Sequence, residues 1–412
     1  MKGIFSVTEA ALERRAVGAT SASTILGAIT LCHFINDLST SLMVAIYPLL
    51  KSGLALTFGQ IGLLTLVFQG VASMLQPVVG LFTDRRPQPY SLAFGMACSL
   101  GGLVVIAFAP TFLMLLAGAG LLGVGSAIFH PESSRIAHLA SKGAHGFAQS
   151  LFQVGGNFGN SIAPLAAAFF ILPHGRGSLA WFALVALVGM FILAKVGRWY
   201  QESGHGRKTA RPSATVADGL ATGEVRRAIA VLVALIFSKF FYLSSITSYY
   251  IFYLMHRFEV TPENAQLCLF AFLAAAAVGT FIGGPVGDRF GRKTVIWGSI
   301  LGVLPFTLIL PYVGLGATIV LSILIGLILS SAFSAIVVYA QELMPGRIGM
   351  VSGLFFGLAF GMAGVGAAVL GHLIDYTSID FVYRLCAFLP LIGLCTVFLP
   401  NVKARSVLKP AH

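Results

Sequence analysis

Charge is scarce in this chain. Asp, Glu, Lys and Arg make up 10% of its 412 residues, while apolar side chains make up 57%. Soluble domains carry roughly a quarter charged residues. A water-soluble fold built from this composition would expose too much apolar surface to stay dissolved, so a soluble globular domain is excluded. Cysteine is also sparse and unpatterned. Cys32, Cys98, Cys268, Cys386 and Cys395 all stand in apolar runs, with no Cys-x-x-Cys spacing. Neither a disulfide framework nor a cysteine metal centre is suggested, and these side chains read as packing residues. No glycine-rich loop ending in Lys-Ser or Lys-Thr is present, which argues against a nucleotide-driven machine. No His-Glu-x-x-His stands anywhere, and His130, Glu132 and His138 match no common metal spacing. No cofactor and no metal are expected.

What the chain does have is long apolar runs. A run of about 20 residues crosses the hydrocarbon core of a bilayer. We count twelve such spans, at roughly 23–50, 57–82, 91–109, 111–138, 146–172, 178–199, 227–256, 264–287, 293–312, 314–341, 348–375 and 380–400. The 47 glycines suit closely packed membrane helices. The polar start, MKGIFSVTEAALERRAVGA, is followed by an apolar run reaching Leu50. That is too long for a signal-peptide core, so no cleaved signal is expected.

The net charge of +12 does not point to nucleic acid, because the basic residues are scattered through short loops. With twelve spans both termini lie on one side, and Lys and Arg choose that side. Twenty of the 26 Lys and Arg fall in segments on the side of the termini. Lys51, Arg176, Arg257 and Arg384 fall on the other, and Arg135 and Lys239 lie inside spans. Both termini are therefore expected in the cytoplasm.

The only long polar stretch divides six spans from six. The expected organisation is a cytoplasmic N-terminus (1–22), a six-helix bundle (23–199), a cytoplasmic linker (200–226), a second bundle (227–400) and a cytoplasmic tail (401–412). The halves repeat. GLFTDR at 80–85 matches GPVGDR at 284–289, and HGFAQSL at 145–151 matches IGMVSGL at 348–354, at offsets of 204 and 203. Both copies run in the same direction, as in transporters whose halves are related about the membrane normal. The fold class expected is an all-α membrane protein of two pseudo-symmetric six-helix bundles.

GGPVGDRFGRK at 283–293 resembles the loop signature of the major facilitator superfamily. More narrowly, HFINDL (33–38), QPVVGLFTD (76–84), FHPESSR (129–135) and AQSLFQVGGNFG (148–159) resemble the fosmidomycin resistance family of bacterial drug exporters. The resemblance covers nearly the whole chain. It implies a monomeric, proton-coupled exporter of small molecules in the bacterial inner membrane, with the phosphonate antibiotic fosmidomycin as the type substrate. It also implies that spans 1, 4, 7 and 10 line a central cavity. The first-half loop reads DRRPQPYS and lacks the Gly-Arg-Lys of the general pattern.

The polar residues inside the spans are the candidate sites. His33 and Asp37 are four apart and share a helix face. An aspartate near the middle of a span costs about 3 kcal/mol unless it is paired, protonated or wet. Asp37, with His33 and Glu132, is the candidate proton site, against the alternative of a structural hydrogen-bond pair. Glu132 and Arg135 can pair on span 4, and a purely structural ion pair remains open. Lys239 stands on span 7 ahead of Tyr242, Ile246, Tyr249 and Tyr253 at helical spacing. Lys239, Arg135, Asn36, Gln69, Gln153, Asn157 and Tyr242 are the candidate substrate contacts, with aromatic packing as the alternative for the tyrosines. The glycines of GGNFGNSIAP (155–164) read as close packing between the two halves. Asp84, Arg85, Asp288, Arg289, Arg292 and Glu342 are the candidate gate. A proton-coupled importer of a small organic anion, and an enzyme embedded in the membrane, stand as alternatives; two similar halves argue against the enzyme.

Overall fold

The computed structural model describes residues 2–141, 145–202, 222–344 and 348–400. Within these, several side chains are not described, among them those of residues 2–21, Asp84, Arg85, His138, Gln149, Asp288 and Glu342. The candidate gate therefore lies largely outside the described residues. Of its members, Arg289 is exposed and Arg292 half-buried.

Among the described residues, twelve helices are long and apolar enough to cross a membrane. They are spans 1 (Ala22–Ala45), 2 (Phe58–Thr83), 3 (Ser91–Phe108), 4 (Phe112–Ala137), 5 (Leu151–His174), 6 (Arg176–Glu202), 7 (Gly223–Phe258), 8 (Pro262–Gly283), 9 (Arg292–Tyr312), 10 (Leu315–Val337), 11 (Leu354–Tyr376) and 12 (Ile379–Phe398). Each matches a run read from the sequence. Span 1 breaks at Ile46, short of the expected 50, and gives a short helix, Tyr47–Gly53, with Pro48 in its first turn. A proline there has no amide to miss.

Local chemistry sets the starts of three spans on the face opposite the termini. Thr57 caps span 2 in a reciprocal box with Gln60, each side chain accepting from the other's backbone amide at 3.1 and 2.9 Å. Thr261 accepts from the Asn264 amide ahead of Pro262, and Ser378 accepts from the Phe381 amide. Span 10 is interrupted at Ser331, which donates to the carbonyl of Ile328 at 2.7 Å and also meets the Ser299 hydroxyl of span 9.

The exposed side chains on the perimeter are apolar. On span 6 Trp181, Leu184, Val188 and Phe191 are exposed at helical spacing, and span 12 presents Phe388, Leu391, Leu394 and Val397. Stripes of this kind suit lipid rather than water. Spans 3 and 4 pack together and against spans 1, 2 and 6. The two halves meet along spans 2 and 11 and along spans 5 and 8.

Hydrogen bonds tie the halves on the face opposite the N-terminus. The Asp375 carboxylate of span 11 accepts from the amides of Phe58 and Gly59 at 2.8 and 2.6 Å, at the start of span 2. A carboxylate on a helix N-terminus meets both free amides and a favourable dipole. The Tyr249 hydroxyl of span 7, held by the Ala367 carbonyl of its own half at 2.5 Å, also reaches the Phe58 carbonyl of the first half at 3.4 Å, and Gln266 donates to the carbonyl of Ala45. Further along the same interface Ser73 donates to the carbonyl of Gly357 at 2.7 Å.

Candidate functional site

Three spans converge on one carboxylate. His33 and Asp37 lie one turn apart on span 1, and His33 Nε2 is 3.4 Å from Asp37 Oδ2. His130 of span 4 brings its Nε2 to 3.5 Å from Asp37 Oδ1. Asn36 donates to Oδ1 at 3.1 Å and Asn160, from span 5, donates to Oδ2 at 3.3 Å. Asn36 in turn accepts from Ser99 at 3.3 Å, and Asn160 accepts from Ser41 at 2.5 Å. His33 and Asp37 are buried; the His130 side chain is 22% exposed and its ring lies 6.0 Å from that of Phe360 on span 11.

The orientation of both imidazoles follows from their other nitrogens. His33 Nδ1 is 2.7 Å from the Phe152 carbonyl and His130 Nδ1 is 2.9 Å from the Ser126 carbonyl. A carbonyl can only accept, so each Nδ1 carries its hydrogen. Each neutral ring then presents a bare Nε2 lone pair to a carboxylate oxygen. Two such facing lone-pair contacts are repulsive unless a proton or another cation stands in them.

Glycine makes this geometry possible. A Cβ at Gly156 would lie 2.5 Å from His33 Nε2 and 2.7 Å from Asp37 Oδ2. Cβ atoms at Gly155 and Gly159 would strike the carbonyls of Thr30 and Phe34. The GGNFG stretch thus packs span 5 on span 1, inside the first half. Packing between the halves, as read from the sequence, is corrected to packing within one, because spans 1 and 5 are neighbours there.

Glu132 and Arg135 form their ion pair on span 4. Arg135 also donates to the Thr83 carbonyl at the end of span 2 at 2.9 Å, and Ser91 of span 3 lies 3.5 Å from Glu132. The pair therefore clamps spans 2, 3 and 4. Glu132 is two residues from His130, roughly 200° round the helix, so it does not join the Asp37 cluster.

Lys239 is buried, its ammonium 3.5 Å from the Ser330 carbonyl and over the rings of Phe240 and Phe333 at 5.5 and 5.4 Å. Ser330 ends the first segment of span 10, so the cation sits at the negative end of a helix. No carboxylate pairs with it among the described residues. Tyr242 is buried in the core, Tyr253 stacks on Tyr383 at 4.0 Å, and Tyr249 closes the interface already described. The tyrosines thus divide among packing sites rather than forming one stripe toward Lys239. Gln69 packs beside Gly364 with its Oε1 buried and lacking a hydrogen-bond partner. Gln153 and Asn157 are half-buried on span 5. Asn36 is committed to Asp37 and Ser99. His130 and Asn160 were not among the candidates read from the sequence; FHPESSR and the polar spacing of span 5 were their only signals.

Comparison with known proteins agrees with this architecture. The family model described as Major Facilitator Superfamily matches residues 29–262 and 240–412. A fosmidomycin resistance protein of Escherichia coli (strain K12) is 60% identical over 377 residues, 92% of this chain and 93% of that protein. An uncharacterized MFS-type transporter of Bacillus subtilis (strain 168) is 42% identical over 390 residues, 93% and 94% of the two chains. Among solved structures, an inward-facing, occupied bacterial homolog of the human lysosomal transporter Spinster aligns with a TM-score of 0.68 at 16% identity, covering 92% and 94% of the two chains. The nucleoside transporter NupG, as a mutant, aligns at 0.69 and 12% identity, covering 90% and 99%. Twelve membrane-length helices, two like halves and these matches together make this chain a multi-pass membrane transporter, not an enzyme, belonging to the Major Facilitator Superfamily and within it to the fosmidomycin resistance family.

Proposed function

We propose that this protein exports small anionic molecules, phosphonate antibiotics such as fosmidomycin among them, in exchange for protons across the bacterial inner membrane. The observation that carries the proton half is the Asp37 carboxylate between two imidazoles that each turn Nε2 toward it. Those three groups form one unit around a single carboxylate. The unit gains or loses a proton with little movement, because both Nδ1 atoms are already tied to backbone carbonyls. His33 and His130 adjust how readily Asp37 releases its proton. The 60% identity to a protein named for fosmidomycin resistance supports the substrate class, and Lys239 supplies a buried cation for it. A monomer suffices, since one chain carries both halves.

The test is transport in everted membrane vesicles under an imposed pH gradient. Vesicles acid inside should accumulate fosmidomycin, and collapsing the gradient should release it. Accumulation that ignores the gradient, or that occurs only in right-side-out vesicles, would replace export with another mode, import included. The orientation is testable separately. Ser203 and Ser213, outside the described residues, belong to the linker expected in the cytoplasm. Cysteines introduced there, in a chain stripped of its own five, should resist an impermeant thiol reagent in intact cells. Labelling of both from outside would invert the topology.

A further inference from the structure

We propose that His33, Asp37 and His130 form a binding site for one zinc-like divalent transition-metal ion, held between spans 1 and 4. His33 Nε2, His130 Nε2 and an Asp37 oxygen all lie within 4.8 Å of one another. Zinc takes imidazole nitrogen and carboxylate oxygen at about 2.0–2.2 Å in tetrahedral geometry, which sets ligand-to-ligand edges of roughly 3.3–3.6 Å. The two nitrogen–oxygen separations here are 3.4 Å, from His33 to Oδ2, and 3.5 Å, from His130 to Oδ1, so an ion between the two rings would be met by both oxygens of the one carboxylate.

The surroundings are those a metal needs. A ligating histidine as a rule donates its other ring N–H to a carbonyl or carboxylate, which fixes the ring and bares the ligating nitrogen. Both rings do so, to Phe152 and Ser126. Asn36 and Asn160 hold the carboxylate from both sides. The two repulsive lone-pair contacts then become the reason to bind: one cation satisfies both at once. Two imidazoles and one carboxylate suit zinc, copper, cobalt or nickel and not magnesium or calcium, which prefer all-oxygen sites. Three protein residues are the number that holds zinc in open sites, where the ion can also take a water. His130 is the most exposed of the three and faces Phe360 of the other half, so access runs from the interface between the halves.

Binding stands on geometry alone; only its effect on transport rests on the proton-exchange reading, since the metal and the protons compete for the same lone pairs. The experiment uses the full-length protein in detergent, purified without a polyhistidine tag and stripped by a chelator. Co2+ should bind with one ion per chain and give the intense visible bands of a tetrahedral site, and Zn2+ should displace it. His130→Gln and Asp37→Asn, at unchanged melting temperature, should each lose the stoichiometric binding. Zinc K-edge absorption of the wild-type protein should show two imidazoles and oxygen ligands. Absence of stoichiometric binding, wild-type binding in folded variants, or a first shell without two imidazoles would each overturn the site. None of these readouts uses a gradient. A lost metal site therefore leaves proton exchange standing, and failed proton exchange leaves the metal site standing.

Discussion

Asp37→Asn should abolish uphill accumulation of substrate in energised vesicles, down to the level of membranes lacking the protein. Asparagine is nearly isosteric and keeps polar contacts with Asn36 and Asn160, which now address Asp37 at 3.1 and 3.3 Å. It cannot take up or release a proton at the pH of the cell. Span 1 also keeps its packing, since His33 stays anchored to Phe152. The fold should survive, and substrate affinity without a gradient should change by less than about 1 kcal/mol, roughly fivefold. The diagnostic is this split between lost pumping and kept binding. Pumping at the wild-type rate would move the proton site elsewhere, and Glu132→Gln would be the next variant. Glu132 is the weaker candidate because its carboxylate is committed to Arg135.

The fold was legible because membrane spans are written as long continuous runs, and a run of 20 apolar residues needs no tertiary information to be read. The internal breaks were less legible. Span 10 has no strong helix breaker at Ser330 and Ser331; its interruption involves Ser331 meeting Ser299 of another helix. The site was half legible for the same reason. His33 and Asp37 share a turn, so their pairing followed from helical spacing. His130 joins Asp37 from 93 residues away, and Asn160 from 123. Nothing local marks either as a partner of Asp37. On the page of the sequence His130 sat beside Glu132, a closer neighbour in the chain that points to another side of the helix. The glycines were read correctly as close approach, yet which helix they approach is a fact of assembly and not of spacing.

Lys239→Ala should weaken binding of anionic substrates by about 3 kcal/mol, on the order of 100-fold, as loss of one partner from a buried charge pair does. Cationic and neutral compounds should lose little. An unpaired phosphonate is too costly to desolvate, and Lys239 and Arg135 are the two cations that the sequence reading assigned to neither face of the membrane. Arg135 is already held by Glu132 and the Thr83 carbonyl, which leaves Lys239 to carry most of the ligand charge. A rival role is visible: the ammonium lies at the end of the first segment of span 10, 3.5 Å from Ser330. A lysine that only closes that helix end would stabilise the chain without regard to what is transported. The two roles part on Lys239→Arg. A planar guanidinium replaces a compact point charge, so it should restore anion affinity only in part, while still meeting a backbone carbonyl. Affinities for fosmidomycin and for a lipophilic cation in both variants, read beside their melting temperatures, decide between them. Equal losses for anion and cation, tracking a lowered melting temperature, would make Lys239 a helix clamp and remove the sequence's own support for an anionic substrate.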